Sequence, residues 1–423
     1  MREMKDSGIA WIGEIPDDWR IIRNKNAFTC SRELVGEKSE LTQLLSLTTR
    51  GIKKKDINNA EGKLPESFDT YQFVKENDLV MCLFDLDCSA VFSGISPYNG
   101  MISPAYRVLS CKKCMEPKYA DYWFQYISDG RKFNHYAKNI RYSLSYEEFS
   151  ALPLLLPERN EQRRIADYLD RKCGQIDATI ARQQEVIEKL KAYKLSVITE
   201  AVTKGLNPDA RMKDSGVEWI GEIPEHWSIV PLTKQLESIV DYRGKTPEKV
   251  DDGIFLVTAR NIKNGMIDYS ISSEYVKAED YDEIMRRGIP QIGDVLFTTE
   301  APLGQVANVD RTDIALAQRI IKFSTKKHLD SYFLKYWIMS IGFQNFLMTL
   351  STGSTAVGIK ASKLFMLPVP LAPMQEQNQI VTYLDKKCKM IESVIDRKQA
   401  LVDKFTDYKK SLIYEVVTGK KEV

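Results

Sequence analysis

The side chains in this chain that could do chemistry are cations and planar amides grouped in loops, not an acid–base set. Arg50 with Lys53, Lys54 and Lys55 forms the densest basic stretch. Arg107 precedes an apolar run, and Asn139, Arg141 and Tyr142 fall in a later loop. In the second half, Arg243 and Lys245, then Arg260, Asn261 and Lys263, then Gln318 and Arg319, and finally Thr352 and Ser354 occupy comparable places. Lysine runs suit phosphates, which they neutralise without reading sequence. Arginine can grip guanine, and asparagine adenine, through two hydrogen bonds each, so these residues also suit base edges. Two plainer readings stand beside this one. A charge run can be a solvated face, and Arg50/Arg260 and Arg107/Arg319, taken as equivalent pairs, can be salt-bridge partners within the fold.

Catalysis is poorly provided for. The chain has three histidines, His135, His226 and His328, without metal-ligand spacing among them. Cys111-Lys-Lys-Cys114 has the spacing of half a zinc site, but no second pair answers it. Gly244-Lys245-Thr246 invites a phosphate-loop reading, yet that motif needs a glycine where Ile239 stands. No Gly-x-Gly-x-x-Gly loop follows a strand, and no Asn/Asp-Pro-Pro-Tyr string of adenine methyltransferases is present. A nuclease or methyltransferase with its own specificity is therefore disfavoured, and no metal site is expected. A non-catalytic adaptor carrying two protein-binding domains is the alternative, and salt-sensitive DNA binding separates the two.

The elements that would position these loops come from a repeat. Residues 4–16, MKDSGIAWIGEIP, return at 212–224 as MKDSGVEWIGEIP, with eleven of thirteen positions alike, and Trp19 and Trp227 keep the register. LPLLLP at 152–157 and LPVPLAP at 367–373 close each half, followed by Glu161-Gln162 and Glu376-Gln377. Each then opens a long helical pattern, YLDRKCGQID beside YLDKKCKMIE. Apolar residues recur at alternating spacings of four and three, the a/d stripe of a coiled coil. In the first pattern they include Leu169, Cys173, Ile176, Ile180, Ile187 and Leu190; in the second, Leu384, Cys388, Ile391, Ile395, Val402 and Phe405. Lys194 and Lys409 interrupt both stripes at equivalent positions. They either fix register or snorkel to the edge.

The expected architecture is α+β: two similar domains separated by two long antiparallel coiled-coil helices, with an internal pseudo-twofold repeat. The divisions are 1–156 for the first domain, 157–205 for its helix, 206–371 for the linker and second domain, and 372–423 for the second helix. The chain starts at a frame and stops at a helix end, so the termini are expected to lie close together. The repeated Trp11, Trp19, Trp219 and Trp227 read as packing residues, being the same in both copies. Lysine plus arginine (60) barely exceeds aspartate plus glutamate (58), which excludes a histone-like polycation but not local basic patches. No run of 18 apolar residues is present, and MREMKDSG has no apolar core of a secretory leader. Seven scattered cysteines point to reduced thiols in a cytoplasmic protein.

The frame GIAWIGEIPDDW, the two proline-punctuated runs ahead of Glu-Gln, and the duplicated long helix resemble the specificity subunits of type I restriction–modification systems. The resemblance spans essentially the whole chain. It implies two target recognition domains, each reading half of a bipartite, asymmetric double-stranded DNA target through the major groove. It implies paired helices that act as a ruler and dock two methyltransferase subunits, with restriction and translocase subunits joining that core. It further implies a chain without catalytic activity, S-adenosylmethionine, ATP and magnesium belonging to the partners. One departure stands out. Ser351-Thr-Gly-Ser354 resembles a small-residue loop of the family, whereas the first head has Lys138-Asn-Ile-Arg141-Tyr142 there. Loop contacts therefore do not carry over from one head to the other.

Overall fold

The structure is a computed structural model, which describes residues 2–49, 51–56, 65, 67–86, 92–129, 131–132, 136, 142–242, 247–352 and 357–423. The chain forms two compact units, Met1–Gln184 with Ala400–Val423, and Glu185–Gln399. Each contains one head and parts of both long helices, Arg159–Lys204 and Met374–Val417.

In the first unit the apolar run after Asn77-Asp78 becomes the strand Leu79–Met81, buried on both faces at the centre of a four-stranded antiparallel sheet. Its neighbours are Arg107–Cys111 and Ser93–Ile95, and Phe28–Ser31 forms the far edge. The helix Pro117–Asp129 starts at a proline, whose missing N–H costs nothing there, and buries Tyr119, Trp123, Phe124 and Ile127. The second unit repeats this order with Leu236–Asp241, Ile320–Thr325, Val295–Thr298 and Val306–Asn308. Its helices Ser331–Met339 and Ile341–Leu350 cover the corresponding core.

The heads diverge in their outer layers. The first has the hairpin Leu45–Thr48 with Gly51–Lys54 and a small separate core. The second has a three-stranded sheet, Tyr275–Val276, Ile254–Val257 and Ile314–Leu316, with one parallel pairing and a larger core. Ile262 and Ile267 pair across Asn264 (φ 55°) and Gly265 (φ 83°), the two positive-φ positions of a type I′ hairpin turn.

The repeated frames make the same contacts in each unit. Met4–Asp6 pairs with Glu14–Pro16, and Met212–Asp214 with Glu222–Pro224. Asp6 and Asp214 each accept a bond from the glycine two residues on. The proline-punctuated runs become Pro153–Leu156 and Pro368–Leu371, paired antiparallel with Arg20–Arg23 and Ser228–Pro231.

Trp19 and Trp227 are fully buried, donating through Nε1 to Glu161 (3.1 Å) and Glu376 (3.0 Å). Gln162 and Gln377, both at 0% exposure, each tie three backbone groups. Gln162 accepts from Glu116 N and donates to Cys114 O and Pro157 O. Gln377 accepts from Asp330 N and donates to His328 O and Ala372 O. Orphaning a buried backbone group costs about 1–3 kcal/mol, so the Glu-Gln pair is a structural lock between helix start and head.

Within each unit the long helices run in opposite directions. In the first, Gly419 meets Trp19 beside Glu161, while Lys409 Nζ reaches Asp177 at 2.7 Å. In the second, Gly205 meets Trp227 and Glu376, while Lys194 Nζ reaches Glu392 at 2.5 Å. Of the expected stripe, Leu169, Cys173, Ile176, Ile187, Leu384, Cys388, Ile391 and Val402 are buried, and Ile180, Leu190, Ile395 and Phe405 half-buried. The C-terminal Lys420 donates to Ile12 O (2.9 Å), which joins the two ends of the chain inside the first unit. No helix among the described residues is long and apolar enough to cross a membrane.

Candidate nucleic-acid interface

In the first head the basic loop is a hairpin arm. Ile52 anchors the strand Gly51–Lys54 in the outer core, leaving Lys53 and Lys54 exposed and Lys55 half-buried. Lys54 Nζ lies 4.7 Å over the ring of Tyr98, itself 37% exposed, so an aromatic face accompanies the cation. Such a pairing, absent from any local motif, suits a nucleic-acid surface. Arg107 is half-buried, opposite Met81 in the central sheet. Its charge, with that of Arg32, opposes the burial that pushes the nearby Cys30 thiol up. Tyr142 is exposed at φ 46°, and its carbonyl accepts from Leu86 N (3.3 Å). That bond brings it beside the Phe84–Asp85 turn, whose Phe84 ring packs against Tyr106 (5.9 Å). Arg50, Asn139 and Arg141 lie outside the described residues, as do Arg243, Lys245 and Ser354 in the second head.

The second head gathers three expected residues into one place. Arg260, Gln318 and Arg319 line a cleft of about 330 Å³, together with Lys249, Glu274 and Thr258. Arg260 donates to Glu274 and to Ser272 Oγ (3.2 Å), and Lys249 pairs with Glu274 at 2.7 Å. Burial works against the Glu274 charge, but the bond from Lys249 and the two nearby cations hold its carboxyl below the ordinary value. Arg319 Nε lies 3.0 Å from Glu300. Exposed Thr352 exchanges backbone bonds with Gly358, which also bridges to Glu300, the partner of Arg319. Lys263 stands apart and exposed on its hairpin. The arginines therefore take the salt-bridge partners that the sequence left open, while keeping exposed guanidinium edges.

Two expectations need correction. Asn261 is fully buried, caps Thr258 and donates to Asp268 O (3.0 Å) and Ser272 O (2.9 Å), so it offers nothing to a groove. Arg107 and Arg319 are not equivalent. Asp78 accepts from Ser110 Oγ (2.6 Å) as Asp294 does from Ser324 Oγ (2.7 Å), and in this register the position equivalent to Arg107 is Ile321. Arg319 lies two residues earlier, just before its strand.

Among the described residues no group of three or more His, Cys, Asp or Glu side chains is placed to hold a metal ion. Burial pushes the Cys111 thiol up to about 12.

Residues 231–401 match the family model described as the type I restriction modification DNA specificity domain. The MjaVIII specificity subunit of a type I restriction enzyme from Methanocaldococcus jannaschii is 25% identical over 404 residues, covering 89% of this chain and 88% of that protein. A putative type I restriction enzyme MjaX specificity subunit from the same organism is 24% identical, covering 91% and 89%. A structure solved in work on complex assembly and conformational transition of the type I R-M system matches with a TM-score of 0.68 at 14% identity. It covers 96% of this chain and 99% of that one, and shows a shared α+β fold. Residues 231–401 thus match the model of the type I restriction modification DNA specificity domain, within a chain that is similar to type I restriction specificity subunits along about nine-tenths of its length.

Proposed function

We propose that this chain is the sequence-reading subunit of a type I restriction–modification complex. Two recognition domains, 1–156 and 206–371, each read one half of a bipartite, asymmetric duplex target. The helices 157–205 and 372–423 form an antiparallel coiled coil in a pseudo-twofold arrangement, which acts as the ruler between half-sites. Two methyltransferase subunits dock on this core, and restriction and translocase subunits join them in the cytoplasm. The chain itself performs no catalysis, and S-adenosylmethionine, ATP and magnesium are used by the partners.

One observation carries the reading. The half that matches a DNA specificity domain is held by the same tryptophan–glutamate and glutamine locks as the other half, while the outer layers differ. A repeated mount with dissimilar heads suits reading two different half-sites. In the first head Lys53, Lys54 and Lys55 contact phosphates, with Arg107 and Tyr142 nearer the bases. In the second, Arg260, Lys263, Gln318, Arg319 and Thr352 do this work, and Arg50, Asn139, Arg141, Arg243, Lys245 and Ser354 add further contacts to the DNA.

The test is to co-express the chain with its genomic neighbours, purify the complex and map methylated adenines in the host DNA. A bipartite asymmetric motif is expected. A complex without a methyltransferase, and no such motif, would favour a protein-binding adaptor.

A further inference from the structure

Two arginines reach the cleft of the second head already held by carboxylates. Glu274 binds Arg260 and Lys249 together, and Glu300 holds Arg319. The Glu274 side chain is only 14% exposed against 63% for the Arg260 it holds, so in that pair the acid lies inside and the guanidinium at the mouth, whereas Glu300 (41%) and Arg319 (50%) pair side by side at the surface. A guanidinium carries five N–H donors in a fixed fork, of which a carboxylate engages at most about two, leaving donors for an outside acceptor. The neighbouring negative charge weakens the pull of each arginine on a phosphate, because that pull depends on net neutralisation. It leaves intact the planar geometry that a guanine edge accepts.

We propose that Glu274 and Glu300 are specificity-determining positioning residues. They aim Arg260 and Arg319 at base edges and suppress binding to phosphates alone. This inference rests on the DNA-reading function proposed above.

The full chain, unaltered and as Glu274→Gln and Glu300→Gln separately, is incubated with a randomised duplex DNA library. Total retention and the sequence enrichment of retained duplexes are both read. Each variant is expected to retain about two- to fivefold more unselected duplex, the range of a partly exposed ion pair. Enrichment at one half-site should fall while the other stays unchanged. A merely structural role would lower retention and enrichment together, and either that result or unchanged enrichment overturns the inference. If the unaltered chain selects a bipartite sequence and the variants select it equally well, the inference fails while the DNA-reading function stands. If the unaltered chain shows no salt-sensitive retention, both fail. Glu300 is 41% exposed, so Glu300→Gln keeps the test open should Glu274→Gln not fold.

Discussion

On the helix behind each central sheet, the first head carries Asp121 beside Tyr122 and Trp123, and the second carries Lys335 beside Tyr336 and Trp337. The flanking contacts coincide. Tyr122 and Tyr336 donate to Asp170 (2.9 Å) and Asp385 (2.5 Å), and both tryptophans are fully buried. Yet the residue just before each tyrosine has changed sign of charge, Asp121 against Lys335. The outward cations differ as well, lysines with a tyrosine face in one head and carboxylate-held arginines in the other. Equivalence between the halves therefore runs through a few anchors that lock head, frame and helix. Positions not bound by those anchors have diverged, even where partly buried.

The largest test of this comparison removes an anchor from each half. Trp19→Ala and Trp227→Ala should each cost about 3–5 kcal/mol, as truncation of a buried aromatic does, with Glu161 keeping Arg2 and Glu376 keeping His226 as partners. Denaturant unfolding of the two variants measures it. Similar losses support equivalent mounts; a clearly smaller loss at one tryptophan would break the comparison.

The charged pair gives a test with opposite pH signs. Burial raises the Asp121 carboxyl to about 6, only partly offset by bonds from the Gln125 amide and the Ile95 backbone. A folded-state value above the unfolded one means the penalty is absent below about pH 4, grows as pH rises, and is complete above about pH 6. Asp121→Asn should therefore stabilise the protein at pH 7 by up to about 3 kcal/mol, a gain that vanishes at pH 4. Burial lowers the Lys335 ammonium, so its penalty lies on the other side. Lys335→Met should stabilise at neutral pH, with the gain shrinking as pH approaches the lysine range. Thermal melts across pH read both, and matching pH trends for the two variants would contradict the assignment.

The anchors were legible in the sequence because they recur in the same order, the frame and its tryptophan 208 residues on and the Glu-Gln pair 215 residues on. MKDSG, the tryptophans and Glu-Gln each repeat with their neighbours, and an apolar stripe identifies a long helix without tertiary information. The outer layers were not legible in the same way. Asn261 has the residue type of a base reader, and only the fold places the Asp268 and Ser272 carbonyls around its amide. Glu274 and Glu300 lie 14 and 19 residues from their arginines, beyond the reach of a local motif. The mismatch of Arg107 with Arg319 was avoidable in part. Asp78 and Asp294 each precede a short apolar strand, and the register from them through Ser110 and Ser324 separates the two arginines.

The smallest expected effect decides what the polar seam residues do. Lys194–Glu392 and Lys409–Asp177 are the same pair displaced by one repeat, lysine for lysine and acid for acid. Lys194 is the less exposed, 12% against 27%, so its pair is less screened. Double-mutant cycles with Lys194→Ala/Glu392→Ala and Lys409→Ala/Asp177→Ala should give couplings of about 0.2–1 kcal/mol, larger for the first. Exchanging the charges, Lys194→Glu with Glu392→Lys, should restore most of what Lys194→Glu alone removes. Couplings that vanish in both cycles would mean the lysines merely snorkel past the apolar stripe. Coupling in both, fading with salt over the range where the Debye length shrinks below about 8 Å, would make them register pins. That outcome would explain why each repeat keeps a lysine where a leucine would pack with less conformational cost.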